Sequence, residues 1–211
     1  MQKKLQKRFF SANRLRTGTD GLERVIELEE ESKKTWHREL FSWAKWILGA
    51  VIIAFMINQF VIANATIMSG SMEDTIMTGD RVFCNRLAYI GNSPERYDII
   101  VFKSPFEGED INYFKRVIGL PGETIMIMNG LVYVNYNAQP LDSSFLRNSP
   151  QGNFGPYIVP QNHYFVLGDN RNHSNDSRYW QEPYIPRELI LGKAVFRYYP
   201  NPSIIKSQPE A

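Results

Sequence analysis

Two residue types in this chain are spaced for covalent chemistry: a serine in Ser69-Gly70-Ser71-Met72, and Lys115 between Tyr113-Phe114 and Arg116-Val117-Ile118-Gly119. A serine hydroxyl is a weak nucleophile until a base takes its proton, and a lysine amine can act as that base only when uncharged. Burial favours the uncharged amine, lowering a lysine pKa from ~10.4 by up to several units, whereas arginine stays protonated. The serine lies shortly after an apolar run at 46–63, and the lysine has apolar neighbours. Together they point to a membrane-anchored serine protease with a Ser–Lys dyad. Each residue also has an ordinary reading. A Ser-Gly-Ser triplet is common in loops, and a strand lysine commonly faces solvent or pairs with a carboxylate. A third polar cluster, GDNRNHSNDSR at 168–178, follows an apolar strand pattern. It reads either as an exposed turn or as hydroxyl and carboxylate groups that orient the lysine and brace the site through ion pairs.

The elements that must position these groups begin with residues 46–63, 18 residues without a charge. As a helix this run is about 27 Å long against a hydrocarbon core of roughly 30 Å. Trp43 and Trp46 stand where an interfacial aromatic belt belongs, and Lys45 can snorkel. Asn58 and Gln59 interrupt the apolarity and leave a buried core helix as the competing reading. Residues 1–45 hold 11 Lys+Arg against 7 Asp+Glu, whereas no Lys or Arg occurs from Trp46 until Arg81. The positive-inside rule then places the N-terminus in the cytoplasm and the C-terminal part outside. The run starts too far from Met1, behind a long charged tail, to be a cleaved secretory signal. Residues 1–19 are basic and polar, and residues 23–45 carry an irregular helical pattern with an acidic cluster at Glu27, Glu29, Glu30 and Glu31.

Beyond the span the pattern shortens to strands at 81–85, 97–103, 112–118, 163–167 and 194–199, rich in Val, Ile, Phe and Tyr. Asn129-Gly130 between the β-prone runs 124–128 and 131–135 predicts a type I′ hairpin, since both turn residues need positive φ. Residues 141–160, rich in Ser, Asn, Pro and Gly, read as a long loop. The expected fold is mainly β: an N-terminal cytoplasmic tail at 1–40, one transmembrane α-helix at 41–64, an all-β catalytic domain of antiparallel sheets at 65–205, and a C-terminal tail at 206–211. The net charge of +2 is too small to suggest a polyanion-binding protein, and no nucleic-acid partner is expected. Cys84 is the single cysteine and reads as a small buried hydrophobe; three scattered histidines without His-Glu-x-x-His spacing argue against a zinc site. No metal or cofactor is required.

Five stretches in order, SGSMEDT at 69–75, GDRV at 79–82, YDIIVF at 97–102, KRVIGLPG at 115–122 and GDNRNHSNDSR at 168–178, resemble the ordered boxes of bacterial type I signal peptidases (leader peptidases) in their compact single-span form. The resemblance runs from the span to near the C-terminus and leaves the tail to about Leu40 uncovered. It implies Ser71 as nucleophile, Lys115 as general base, and Ser69 with the Ser71 backbone N–H as the oxyanion hole. It implies Ser174 as the hydroxyl that orients the amine, and Asp169, Asp176, Arg178 and Arg116 as bracing ion pairs. Ile67, Met68, Met72, Ile76, Tyr113 and Phe114 fall where the family lines shallow pockets for small side chains. The implied substrates are exported preproteins whose signal peptides end in Ala-x-Ala, cut at the cell membrane beside the lipid bilayer and near the secretion translocon. Asp74 departs from the family's frequent Pro, and Gln181 from its frequent Gly. A tethered module that only grips extended peptides is the non-enzyme alternative, and it has no need of Ser71 or Lys115.

Overall fold

The computed structural model describes residues 19–57 and 61–207. The expected loose order of most of the first 19 residues, the interruption at Asn58 and Gln59, and all but the first two residues of the C-terminal tail fall outside them.

Helix α1 spans Thr19–Met56. Within it Glu39–Met56 is long and apolar enough to cross a membrane. Trp43, Trp46, Ile47, Leu48, Val51, Ile52, Ile53 and Phe55 are all exposed, the pattern of a helix whose apolar surface is not spent on a protein core. The apolar run at 46–63 is not one element: it is helical to Met56, and Ile62 and Ala63 open strand β1, Ile62–Thr66. Hydropathy carries no mark of that change, because an edge strand and a lipid-facing helix both accept Ile, Val and Ala.

The second unit, from Met56 onward, is β-rich. Its strands after β1 are β2 Arg81–Asn85, β3 Ile99–Lys103, β4 Asn112–Gly119, β5 Thr124–Met128, β6 Leu131–Val134, β7 Phe154–Ile158, β8 His163–Leu167, β9 Tyr184–Pro186, β10 Ile190–Tyr199 and β11 Ser203–Ile204. Eight of them form one sheet in the order β1-β2-β10-β3-β4-β8-β9, with β11 also on β10; β6-β5-β7 form a second sheet. Every pairing is antiparallel. The mainly β expectation holds. Asn129 and Gly130 sit at φ 51° and 80°, as the I′ turn requires. The expected loop at 141–160 is corrected: it contains β7, which pairs with β5. Gly155-Pro156 in its middle breaks the strand pattern, yet an edge strand tolerates a residue with no N–H to donate.

Two packing features matter for the site. Strand β4 changes along its length, with Asn112 exposed and residues from Phe114 to Gly119 buried. Its partner β3 covers Asn112 to Arg116, but β8 meets it only from Arg116 to Gly119. The edge of β4 from Asn112 to Lys115 that faces away from β3 therefore has no strand partner among the described residues. Beneath it Ile67, Met72, Ile76, Val82, Cys84, Ile99, Val101 and Phe114 form one apolar cluster. Cys84 is fully buried there and burial pushes its thiol up to about 12, which makes it packing rather than chemistry.

Candidate active site

Ser71 stands in a single 3-10 turn, Gly70–Met72, between the end of β1 and the start of β2. Lys115 stands in β4, 44 residues on, and its Nζ donates to Ser71 Oγ at 2.5 Å. Both are buried, Lys115 to 2% exposure. Desolvation pulls the Lys115 amine down from its ordinary value to about 8; the Asp176 carboxylate opposes the shift, Arg178 adds to it, and Asp169 opposes it more weakly. About a tenth of the lysine is then neutral at pH 7, far more than for an ordinary lysine, and this is the state in which the amine can accept a hydroxyl proton. When it does, the same contact runs from Ser71 O–H to the amine lone pair.

Ser69 Oγ lies 3.3 Å from Ser71 Oγ, so two hydroxyls share this side of the turn. Ser174 is buried near the dyad: a Cβ on Gly168 would stand 2.2 Å from Ser174 Oγ and 2.4 Å from the Ser71 carbonyl oxygen. Among the described residues Ser174 Oγ has no hydrogen-bond partner, so no bond joins it to Lys115.

The four charged residues read as braces form two buried pairs. Arg116 Nε and Nη2 donate to the two oxygens of Asp169 at 2.8 and 2.6 Å. Arg178 Nε and Nη2 donate to the two oxygens of Asp176 at 2.8 and 2.9 Å. Burial makes such bidentate pairs sensitive to loss of one partner, which leaves the other charge stranded. Arg116 also donates to the carbonyls of Tyr97 and Ser207 and lies 4.6 Å over the Phe145 ring. Asp176 accepts the Gly168 N–H at 3.0 Å, which ties the second pair to the loop beside Ser71.

The six residues matched to substrate pockets separate into groups. Ile67, Met72, Ile76 and Phe114 are buried in the apolar cluster below the turn. Tyr113 is partly buried in a second cluster with Phe102, Phe106 and Trp180, its ring centroid 5.9 Å from Lys115 Nζ. Met68 is 89% exposed and is not part of either cluster. A cavity of about 430 Å³ is lined by Thr75, Arg116, Phe145, Arg197 and Ile205 among others, and neither Ser71 nor Lys115 lines it.

Three neighbours escaped the sequence reading. Gly168 leaves room for the Ser71 carbonyl, Asn170 donates to that carbonyl and to Gly70, and Thr75 donates to Asp169. All lie inside the recognised stretches, but their partners are about a hundred residues away, where no local pattern shows them. Asp74 has φ 82°, a value closed to a proline ring. With this backbone the family's frequent Pro has no place here.

A family model described as "Signal peptidase, peptidase S26" matches residues 40–199. The chain belongs to the signal peptidase family. The peptidase is 37% identical over 192 residues to a probable signal peptidase I-2 of Synechocystis sp., covering 88% of this chain and 84% of that one. It is 40% identical over 167 residues to a signal peptidase I of Leptolyngbya laminosa, 76% of this chain and 80% of that one. Against signal peptidase I S of Bacillus subtilis it is 37% identical over 187 residues, 83% and 96% of the two chains. It is a hydrolase of the peptidase class.

Proposed function

We propose that this peptidase removes signal peptides from exported preproteins with a Ser71–Lys115 dyad, through an acyl-enzyme. The observation that carries the reading is a buried lysine amine 2.5 Å from a serine hydroxyl, its pKa lowered to about 8 by desolvation. Neutral Lys115 takes the Ser71 proton as Oγ attacks the carbonyl carbon of the scissile bond. The carbonyl oxygen becomes an oxyanion within reach of Ser69 Oγ and the Ser71 N–H. Lys115 returns the proton to the departing amine, the C–N bond breaks, and an ester on Ser71 remains. Water, deprotonated by the same amine, attacks that ester; the acyl C–Oγ bond breaks, Lys115 returns the proton to Ser71 Oγ, and the signal peptide leaves with its new carboxyl group. Arg116–Asp169 and Arg178–Asp176 hold the elements that carry these groups, and Ser174 stands near the Ser71 backbone.

The substrate segment is extended and lies between the chain at Ile67–Ser69 and the unpartnered edge of β4 at Asn112–Phe114, a β-augmentation mode. Ile67, Met72, Ile76 and Phe114 floor the small-residue pockets, with Met68 and Tyr113 at their rims, which suits signal peptides ending in Ala-x-Ala. Residues 1–40 form the cytoplasmic tail, a single span lies within 41–64 and is helical as far as Met56, the catalytic domain at 65–205 lies outside the cell membrane, and 206–211 follow it. Lipid bilayer and a nearby secretion translocon are its surroundings. The test is cleavage of a purified preprotein whose signal ends in Ala-x-Ala, by detergent-solubilised wild type and Lys115→Ala. Cleavage after the final Ala by wild type only supports the reading; binding without cleavage by either moves the weight to a peptide-gripping module.

A further inference from the structure

The Ser71–Lys115 contact joins a 3-10 turn to a strand, so no strand ladder fixes its length. What fixes it is visible in the two residues after Gly168. Asn170 donates its backbone N–H to the Ser71 carbonyl at 3.1 Å and its side-chain Nδ2 to the Gly70 carbonyl at 3.1 Å, reaching Glu73 Oε2 at 3.4 Å. Asp169, its neighbour, holds Arg116, the residue after Lys115, through both carboxylate oxygens. The same carboxylate accepts Thr75 Oγ1 at 2.5 Å. Asp74, at φ 82°, turns the backbone between Glu73 and Thr75. The nucleophile's turn is thus gripped at both ends, at Gly70–Ser71 and at Thr75, by a dipeptide that grips the base's strand with its other contacts.

Resting on the Ser–Lys reading, we propose that Thr75 and Asn170 are positioning residues that set the spacing between Ser71 and Lys115. Neither touches the two reacting groups; each acts through the turn that carries Ser71. Thr75 donates to a carboxylate, the stronger class of hydrogen bond, and that carboxylate is already fixed by Arg116. Proton transfer and attack need the reacting atoms held near contact distance, so a turn free to drift loses turnover while the apolar floor still accepts the peptide.

The experiment measures kcat, KM and the pH dependence of kcat/KM for the full chain in detergent, on a fluorogenic peptide containing Ala-x-Ala, with thermal melts of each variant. Thr75→Val keeps the volume and removes the donor; Thr75→Ser keeps the donor. Thr75→Val lowers kcat about tenfold or more, with KM within about twofold. The acid limb of kcat/KM stays in place, because burial and the charges around Lys115 are unchanged. Thr75→Ser recovers most of the loss, and Asn170→Ala lowers kcat in the same sense. Wild-type kcat in Thr75→Val overturns the proposal, as does a loss in both variants that follows a lowered melting temperature. If Thr75→Val does not fold, wild-type kcat in Asn170→Ala overturns it. Failure of the dyad itself has another signature, cleavage persisting in Ser71→Ala or Lys115→Ala.

Discussion

Gly168 runs against Ser71 so closely that a Cβ at position 168 would stand 2.4 Å from the Ser71 carbonyl oxygen, with Ser174 Oγ at 2.2 Å on the same side. Real Cβ contacts do not come that near, so one of the two backbones must move. Gly168→Ala therefore displaces the turn that carries Ser71, and with Ser71 as the proposed nucleophile a shift near 1 Å lowers turnover by about a hundredfold. Steady-state cleavage of an Ala-x-Ala peptide checks this, with the folded state verified by melting; wild-type turnover in Gly168→Ala would mean the turn is not held where Ser71 is found.

The pH response tests the proposed role of Lys115. With its neutral amine as the base, a value of about 8 makes kcat/KM rise about tenfold per pH unit below that point and level off above it. Asp176 opposes the downward shift of Lys115. Asp176→Asn therefore moves the acid limb to lower pH, at a cost in stability from the stranded Arg178. A pH series on both proteins reads the two limbs; a limb that moves upward in Asp176→Asn contradicts the assignment.

Burial of a cationic amine is also a stability penalty. Lys115 has a folded value of about 8 against an ordinary 10.5, so the unfolded chain binds more protons between those values. The penalty is fully present below about pH 8 and disappears as pH rises toward 10.5. Lys115→Met should stabilise the domain by about 1–3 kcal/mol at pH 7, and by less at pH 10. Denaturant melts at the two pH values test the sign. A variant less stable than wild type at pH 7 would show that the Ser71 contact outweighs the desolvation.

Asp74 tests the backbone of the turn. At φ 82° a proline cannot be accommodated without rebuilding Glu73–Thr75. Asp74→Pro should lower stability by more than about 1 kcal/mol and reduce turnover, whereas Asp74→Gly stays within about 1 kcal/mol of wild type. The Arg147 contact that Gly would lose is 3.5 Å long and its arginine is 80% exposed, which makes it a minor contribution. Chemical denaturation of both variants decides; equal stability of Pro and Gly would put the turn in another conformation.

Much of this architecture was legible in the chain because its signals are local. Asn129-Gly130 needs only its own φ angles, and the runs at 81–85 and 163–167 are compact apolar strands with turn residues on both sides. The signals that failed were those overlaid by another pattern. β1 is hidden at the end of an apolar run continuous with the helix, and β7 is masked by the Gly155-Pro156 pair in its own middle. In the site, the serine and the lysine stand out by their chemistry together with their place after the apolar run, and the charged residues enter through the family resemblance. Thr75 and Asn170 do not stand out, because their contacts to Asp169 and Gly70 span 94 and 100 residues and exist only once the sheet has closed.

The most direct test of the account is to catch the covalent intermediate. The full-length peptidase is mixed with excess Ala-x-Ala peptide ester, quenched in acid within a turnover, digested and read by mass spectrometry. An acyl adduct on the peptide containing Ser71, absent from Ser71→Ala and strongly reduced in Lys115→Ala, is the expected result. An adduct on another residue, or equal labelling of Ser71 in Lys115→Ala, would contradict the Ser71–Lys115 dyad.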